Sequence, residues 1–216
     1  MKKLNLQKKK WLSKFGSDYT KRDMKLDLNV FEKYYIKNFG ITKNQLNKKF
    51  YKYFNKDFKF LETGCNVGTQ LALMKKNNFI NLYGIDIQSG AIKIGKKERP
   101  YIKFKQGTSD NLEFKDNNFD VTLTNNFFIH LNKDNLLKTI NEIYRVTTKY
   151  VWCFEYYSKK RKKLNYRGNT NIMWKDDFKT YFPKKKFKLI KSIKLPYISL
   201  EQKNNIDEMF LMEVIK

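Results

Sequence analysis

A short turn with two glycines has the residue pattern best suited to holding a ligand against the backbone. The segment Leu61–Gln70 reads LETGCNVGTQ, so Gly64 and Gly68 flank Asn66. Glycine adopts positive φ angles and allows a ligand to approach the backbone, and Asn is the other residue that tolerates the left-handed region well. An apolar run precedes the turn and a helical pattern follows it. We therefore expect a strand–turn–helix unit whose free amide N–H groups face a polar ligand.

Two carboxylates are spaced to complete such a site. Glu62 lies just before the first glycine, and Asp86 ends the next apolar run. A carboxylate at that strand end can accept hydrogen bonds from both hydroxyls of a ribose, with Ile87 beside the base. Asp86 could instead, or in addition, cap the helix that follows it. An NAD-dependent oxidoreductase is disfavoured, because Asn66 replaces the middle glycine and no third glycine is in register.

Two later strand ends also carry polar side chains. The segment Gln106–Phe114 reads QGTSDNLEF and would face the edge of a bound base. The segment Thr124–Leu131 reads TNNFFIHL and follows another apolar run. The candidate contacts from these two segments are Thr108, Ser109, Asp110, Thr124 and Asn125. Carboxyl ends of parallel strands meet at one sheet edge, so all four segments are expected to converge there.

Alternating strand and helix patterns position these residues. Periodicity predicts strands over 58–62, 80–86, 101–104, 119–124 and 150–155, and helices over 69–76, 89–97 and 133–146, the last capped by Asn132. This alternation favours βαβ units and a parallel sheet. Two further strands, 187–195 and 208–215, could pair antiparallel at the sheet edge. Residues 27–56 predict one or two helices broken at Gly40.

These motifs and their order resemble the class I S-adenosylmethionine-dependent methyltransferases, whose turn has the form acid-x-G-x-N-x-G. The resemblance implies a Rossmann-like α/β fold with a mostly parallel seven-stranded sheet, an antiparallel C-terminal hairpin and helices on both faces. It also implies S-adenosylmethionine as the cofactor, with its aminoacyl end in the turn. An N-terminal segment would fold over it and bring Tyr19 or Arg22 to the methionine carboxylate. The implied cofactor-binding residues are Tyr19, Arg22, Glu62, Gly64, Cys65, Asn66, Gly68, Asp86, Ile87, Thr108, Ser109, Asp110, Thr124 and Asn125.

Within that class, the chain resembles the pseudaminic acid biosynthesis-associated methylases. The resemblance rests on the opening Trp11–Arg22 (WLSKFGSDYTKR), on the GCNVG turn, and on segments at 129–131, 142–146, 155–157, 166–168 and 174–178. It implies a small-molecule methyltransferase of surface-sugar biosynthesis, with a sugar or nucleotide-sugar as acceptor. Lys194–Ile198 replaces the aromatic, acidic strand usual in that family, so the identity of the acceptor stays open.

Five residues are candidates for binding the acceptor or for catalysis on it. His130 is the single histidine and could act as the general base, or it could only orient its loop. Glu155 and Tyr157, with Tyr156 between them, could line an acceptor pocket or pack in the core. Arg167 could hold an acceptor carboxylate or phosphate in a bidentate contact, or lie on the surface.

Composition bounds the remaining classes. The 216 residues carry a formal net charge of +25, but lysine is spread over the whole chain and arginine is scarce. Nucleic acid is therefore a partner that we do not favour, and we interpret the basic run Lys159–Lys163 as a solvated loop. Cys65 and Cys153 are too few for a disulfide framework or a four-cysteine zinc site, and we expect no metal. The absence of a long apolar run or an apolar N-terminal core predicts a cytoplasmic protein without a membrane span.

The sequence leaves three functional classes open. The first is an enzyme acting on a small acceptor, and the second is an RNA or protein methyltransferase, favoured by the charge. The third is a non-catalytic module that binds S-adenosylmethionine or a nucleotide. We expect one domain over 1–216, with a helical cap at 1–56, a cofactor-binding core at 57–155, and an acceptor-side loop and C-terminal strands at 156–216.

Overall fold

Along the part of the chain that the structure describes, residues 6–23 and 26–216 of a computed structural model, nine strands form and seven of them make one sheet. The strands are β1 (Lys59–Thr63), β2 (Asn81–Asp86), β3 (Lys103–Gln106), β4 (Phe119–Asn125), β5 (Thr147–Tyr156), β6 (Lys162–Lys163), β7 (Trp174–Lys175), β8 (Phe187–Pro196) and β9 (Ile206–Val214). The helices are α1 (Leu6–Trp11), α2 (Lys14–Asp23), α3 (Leu28–Phe39), α4 (Lys43–Tyr51), α5 (Thr69–Lys75), α6 (Ser89–Glu98) and α7 (Lys133–Val146).

The order of strands in the sheet is β3-β2-β1-β4-β5-β9-β8. The first five run parallel, and β9 pairs antiparallel with both β5 and β8. The strand order reverses between β1 and β4, which places a crevice at the carboxyl ends of these strands. The predicted fold class, including the antiparallel C-terminal pair, is confirmed.

Helix ends follow the local chemistry that the sequence indicated. Gly40 ends α3 in the left-handed conformation, with φ of 69°, and its N–H donates to the carbonyl of Ile36. Thr42 and Gln45 then form a capping box that starts α4. Asn132 caps α7 by accepting the Asn135 N–H. The predicted break at Gly40 and cap at Asn132 are both confirmed.

Two local predictions are corrected. The strand expected over 101–104 begins at Lys103 instead, because the Ile102 N–H bonds to the carbonyl of Arg99 in a turn after α6. The basic run at 159–163 is only partly a loop, since Lys162–Lys163 form β6 and pair with β7. Its arginine, Arg161, is not a solvated side chain, because its guanidinium donates to Asp176 and to the carbonyl of Leu131.

The core lies on both faces of the sheet. One face packs under α3–α6 and includes Tyr35, Phe50, Phe60, Leu71, Trp152 and Phe154. The other packs under α7 and a 3-10 helix at Phe178–Tyr181 and includes Ile140, Ile143, Phe178, Phe210 and Met212. Between residues 6 and 23 and from 26 onward, no helix combines the length and apolar character needed to cross a bilayer.

Candidate active site

The glycine turn between β1 and α5 has the backbone geometry that its sequence predicted. Gly64, Asn66 and Gly68 have φ angles of 69°, 48° and 75°. A Cβ atom at Gly64 would lie 2.1 Å from the ring of Phe127, so the turn packs directly on the loop that follows β4. Glycine is required at this position both by the conformation and by the contact.

A cavity of about 370 Å³ opens beside this turn, at the carboxyl ends of the parallel strands. Most of the predicted site residues line it, namely Tyr19, Glu62, Gly64, Cys65, Asn66, Asp86, Ile87, Thr108, Ser109, Asp110, Asn125 and His130. Six predicted residues do not line it: Arg22, Gly68, Thr124, Glu155, Tyr157 and Arg167. The structure thus brings together residues from four strand ends, and their roles toward a ligand remain predictions.

Asp86 joins the two loops that frame one half of the cavity. Its Oδ2 accepts the Asn66 N–H at 2.8 Å, and its Oδ1 accepts the Gln88 N–H at 2.8 Å. Burial raises the pKa of Asp86, and the hydrogen bonds from these amides oppose that effect. A carboxylate has about four lone-pair sites, so acceptor capacity remains for the hydroxyls of a ligand. The helix-cap role is also present in part, since the Gln88 N–H opens α6.

Glu62 presents an unsatisfied carboxylate oxygen to the same half. It is 3% exposed, and its Oε2 has no hydrogen-bond partner among residues 6–23 and 26–216. Burial raises the pKa of Glu62 to about 8, against the lowering effects of Lys43 and Arg99. A buried carboxyl without a partner is costly unless a ligand satisfies it. We call the part of the cavity lined by Glu62, Gly64, Cys65, Asn66 and Asp86 the strand-end half.

A second set of lining residues, which we call the aromatic half, consists of Phe31, Tyr34, Tyr35, Tyr156 and Tyr166. Two of these tyrosines are neighbours on α3, one ends β5, and one lies in the loop between β6 and β7. Of these residues, only Tyr156 is predicted near a pocket from the sequence. The helical spacing of Tyr35 in α3 predicts a core position, and Tyr35 is indeed 1% exposed. Its second role at a cavity wall leaves no separate trace in the sequence.

A group of buried ionisable side chains lies behind the aromatic half. The ammonium of Lys43 is 3.3 Å from the ring centroid of Phe154 and, within the described residues, makes no hydrogen bond. Burial lowers the pKa of Lys43 to about 7, although Asp207 and Glu62 act in the opposite direction. Asp207 accepts a hydrogen bond from the Tyr197 hydroxyl at 3.2 Å, and burial raises its pKa well above the usual range.

Helix α1 lies across the cavity and is tied to two loops. The Gln7 amide donates to the carbonyl of His130 and accepts hydrogen bonds from the Asn132 N–H and the Asn135 amide. Lys8 forms an ion pair of 2.6 Å with Asp110. Burial alone would raise the pKa of Asp110, but the hydrogen bonds from Lys8 and Thr108 lower it. The predicted base-edge residue Asp110 therefore already holds α1.

His130 lines the cavity beneath this cap. Its ring packs against Trp11 at 4.7 Å and Tyr19 at 5.6 Å between centroids. Its Nδ1 lies 3.3 Å from the carbonyl oxygen of Ile172. A carbonyl only accepts hydrogen bonds, so this contact assigns the proton to Nδ1 and leaves Nε2 with a lone pair. Burial lowers the pKa of His130 to about 4, and the ring is neutral at pH 7.

Three of the residues predicted for the acceptor, Glu155, Tyr157 and Arg167, do not line the cavity. Glu155 is buried and its two oxygens accept the N–H groups of Phe127 and Ile129, so it holds the loop after β4. Burial raises the pKa of Glu155 to about 7. Tyr157 begins the loop after β5 and borders a separate groove. Arg167 is exposed in a turn with φ of 52°.

Two further predicted contacts have protein partners. The guanidinium of Arg22 lies 3.3 Å from the Tyr166 hydroxyl and 3.3 Å from the Asp18 carbonyl, while Tyr19 lines the cavity. Ser109 and Thr139 share a hydrogen bond of 2.8 Å between their hydroxyls. In the described part of the chain, no group of three or more His, Cys, Asp or Glu side chains could hold a metal ion.

Comparison with known proteins decides the class to which this site belongs. Residues 61–154 match the family described as "Methyltransferase domain". Over these residues, which are less than half of the 216, the chain is similar to a methyltransferase domain. The matched residues run from β1 to β5 and include the glycine turn, Asp86 and His130. The strand-end half suits S-adenosylmethionine, because Glu62 offers an unsatisfied carboxylate oxygen and Asp86 retains acceptor capacity for ribose hydroxyls.

Two solved structures are similar to this chain in fold. The PH0226 protein from Pyrococcus horikoshii OT3 superposes with a TM-score of 0.64 at 19% identity, covering 79% of this chain and 88% of that one. An S-adenosylmethionine-dependent methyltransferase from Methanosarcina mazei gives 0.61 at 16% identity, covering 76% and 96%. These likenesses establish the fold.

Among curated proteins, a ubiquinone/menaquinone biosynthesis C-methyltransferase (UbiE) from Campylobacter jejuni is 28% identical over 75 residues. The match covers 32% of this chain and 32% of the relative. The chain therefore spans about a third of the relative's length.

Proposed function

We propose that this chain transfers the methyl group of S-adenosylmethionine to a small acceptor, a sugar or nucleotide-sugar, held in the aromatic half of the cavity. The observation that carries the proposal is that two chemically different sets of residues line one cavity. The strand-end half offers a buried carboxyl, a carboxylate and backbone amides, and the aromatic half offers phenol rings and hydroxyls. A volume of about 370 Å³ under α1 suits small molecules rather than a folded RNA or protein.

On the strand-end side, the residues bind and orient the methyl donor. Asp86 accepts the ribose hydroxyls, Ile87 lies beside the base, and the turn at 64–68 admits the aminoacyl end because glycine and Asn66 keep side chains out of the way. The bound donor supplies an electrophilic methyl group on a sulfonium. Tyr19 contacts the methionine carboxylate from the cap, with Arg22 behind it through the Tyr166 hydroxyl.

On the aromatic side, the rings exclude water and set the orientation of the acceptor. Sugars present C–H faces that pack on aromatic rings and hydroxyls that bond to phenols, and the residues that resemble the pseudaminic acid-associated methylases support this acceptor class. Methyl transfer needs alignment of nucleophile, methyl carbon and sulfur, so positioning supplies much of the rate.

His130 is the proposed general base. Its neutral ring lines the cavity and its Nε2 lone pair is available to take the proton released by an acceptor hydroxyl or amine. A pKa near 4 makes it a weak base, so we expect it to contribute only a modest part of the rate. A His130→Ala enzyme with near-normal turnover would end this assignment.

One observation favours a second candidate acceptor. The curated relative is a C-methyltransferase, and an aromatic wall also accepts a planar phenolic ring by stacking. Carbon methylation of such a ring would use the same cavity. A sugar needs more hydrogen bonds from the protein than a phenolic ring does. A screen that contains both kinds of acceptor can distinguish the two candidates.

The test is a methyl-transfer screen with tritiated S-adenosylmethionine against sugars, nucleotide-sugars, phenolic rings and RNA. Labelled product from a sugar or nucleotide-sugar is expected, and product only from rings or RNA would replace the acceptor class. In parallel, calorimetry measures the binding of S-adenosylhomocysteine and of NAD. Tight binding of the first with no acceptor in any class would favour the non-catalytic module instead.

A further inference from the structure

We propose that a lysine-lined groove beside the β6–β7 ribbon binds the phosphate or diphosphate group of the acceptor. The groove, of about 530 Å³, is lined by residues that include Tyr157, Lys159, Lys160, Lys162, Lys175 and Ile206. The inference rests on the proposed function, since it names the charged part of the molecule that this methyltransferase modifies. It identifies the acceptor as a phosphorylated sugar or a nucleotide-sugar rather than a neutral sugar.

Two of the groove lysines, Lys162 and Lys175, lie on paired strands. In the antiparallel register of the ribbon, Lys162 is the direct partner of Lys175. Like charges opposite each other on paired strands are destabilising. Burial lowers the pKa of Lys175 and Lys162 lowers it further, against an opposing effect of Asp207. The Lys175 ammonium also donates a hydrogen bond to the Asn205 amide oxygen, which carries no negative charge. The lysine pair therefore stays unfavourable in the free protein, and an anion bound beside it would relieve the repulsion.

Nearby carboxylates do not neutralise these lysines. Asp176 accepts hydrogen bonds from Arg161 at 3.0 Å and Tyr181 at 2.7 Å. Asp177 and Glu208 both bond to Lys179, at 2.6 and 2.8 Å. Among the described residues that line the groove there is no Asp or Glu. Asp207 is the remaining acidic neighbour; it bonds to the Tyr197 hydroxyl and, among the residues that the structure describes, forms no ion pair with the groove lysines. The lysines that line the groove therefore outnumber the acidic side chains that act on them.

The groove is adjacent to the aromatic half of the cavity. The loop between β6 and β7 forms a shared wall, because Tyr166 and Met173 line the cavity while Leu164 and Lys175 line the groove. At the end of β5, Tyr156 lies in the cavity and the next residue, Tyr157, lies in the groove. A molecule with a polar ring in one site and a phosphate in the other matches this arrangement.

The test measures anion binding without needing the acceptor itself. Inorganic pyrophosphate, uridine diphosphate and a single-stranded RNA oligonucleotide are titrated by calorimetry into the wild type and a Lys162→Gln/Lys175→Gln variant. We expect both small probes to bind at least about tenfold more weakly to the variant, because charge-assisted hydrogen bonds are lost. The matched control, Lys184→Gln/Lys185→Gln, removes the same charge from an exposed turn before β8, at the end of the β8–β9 pair opposite to the groove residue Ile206.

Two results would overturn the proposal. One is equal weakening in the control and groove variants, which would indicate non-specific charge. The other is tight RNA binding that the groove variant loses while the small probes bind neither protein, which would assign the surface to nucleic acid. S-adenosylhomocysteine is titrated in parallel. If the groove variant no longer binds pyrophosphate but still binds S-adenosylhomocysteine, the groove is separate from the methyl-donor site. If the wild type does not bind S-adenosylhomocysteine, that result counts against the proposed function alone.

Thermal melting gives a second, independent readout. Since repulsion is relieved, Lys162→Gln alone is expected to leave the free protein as stable or raise its Tm. Pyrophosphate is expected to raise the Tm of the wild type and not that of the double variant. A Lys162→Gln variant that melts well below the wild type would show that the lysine serves packing instead of binding, and the proposal would fall.

Discussion

The two halves of the cavity differ in how the chain builds them. The strand-end half comes from consecutive βα turns, so residues close in sequence, such as Glu62, Gly64 and Asn66, are close in space. The aromatic half combines Tyr34 and Tyr35 from α3 with Tyr156 from the far end of the sheet. Its buried charges, Lys43 and Asp207, are separated by most of the chain. Local spacing therefore encodes the side of the cavity that we propose for the methyl donor, whereas only the packed fold builds the side that we propose for the acceptor.

The two halves also differ in how many hydrogen bonds their buried ionisable groups make. Asp86 in the strand-end half accepts two backbone hydrogen bonds, at 2.8 Å each. Lys43 behind the aromatic half has no such partner in the described chain, and Asp207 has only one oxygen satisfied. Strain and unpaired charge cluster where proteins act on ligands. We therefore expect substitutions in the strand-end half to destabilise the protein or to abolish ligand binding. Some substitutions behind the aromatic half are expected to stabilise the protein.

The largest effect is expected at the turn itself. Gly64→Ala should lower the free energy of unfolding by about 4 kcal/mol, because it combines left-handed strain with a clash against Phe127. Gly90→Ala is the matched control, since Gly90 has no atom within 4 Å of its Cβ position and lies in α6. Alanine there should be neutral or stabilising by up to about 1 kcal/mol. Urea unfolding that shows equal changes in the two variants would contradict the packed turn.

The next effect tests recognition by the strand-end half. Asp86→Ala should weaken binding of S-adenosylhomocysteine about 100-fold, because charge-assisted hydrogen bonds to the ribose are lost together with the anchor to Asn66. Asp57→Ala removes an exposed carboxylate and should bind as the wild type does. Calorimetry measures both, with circular dichroism to confirm folding. An unchanged affinity in folded Asp86→Ala protein would place the ribose elsewhere.

A pH-dependent effect is expected at His130, which lines the cavity. Its folded pKa of about 4 lies below the usual value near 6.5, so the unfolded chain takes up a proton that the folded one does not. Stability should therefore fall as the pH drops below 6.5, by about 2 kcal/mol between pH 7 and pH 5. His130→Gln should lack that component. Unfolding curves of the two proteins that stay parallel over this range would mean that the imidazole is not buried in its neutral form.

The smallest effect is expected behind the aromatic half. Lys43→Met should stabilise the protein by about 1 kcal/mol at pH 7, since a buried ammonium without hydrogen bonds is exchanged for an apolar side chain of similar length. The folded pKa of Lys43 is lowered, so the wild type should regain stability as the pH rises from 7 toward 10. Lys48→Met, on the exposed side of α4, is the control. A clear loss of stability in Lys43→Met would show that the ammonium is satisfied.

The contrast between local spacing and tertiary packing also explains which parts of the fold and of the candidate site could be predicted from the sequence. Alternating periodicity, the cap at Asn132 and the break at Gly40 are local properties, and they fixed the order of strands and helices. The left-handed Asn66 and the carboxylate at 86 follow from turn chemistry. Glu155, expected near the acceptor, instead holds the amides of Phe127 and Ile129, because a loop residue's partners depend on tertiary packing. The opposed lysines of the ribbon depend on register, which two-residue strands do not reveal in sequence.

The most direct test of the central claim is a crystal structure with S-adenosylhomocysteine bound. The account predicts the ribose hydroxyls within hydrogen-bond distance of the Asp86 carboxylate, the aminoacyl end in the turn at 64–68, and Tyr19 or Arg22 at the methionine carboxylate. The aromatic half should stay open in front of the sulfur. A ligand bound away from Asp86, or a folded protein with no affinity for the compound at millimolar concentration, would contradict it.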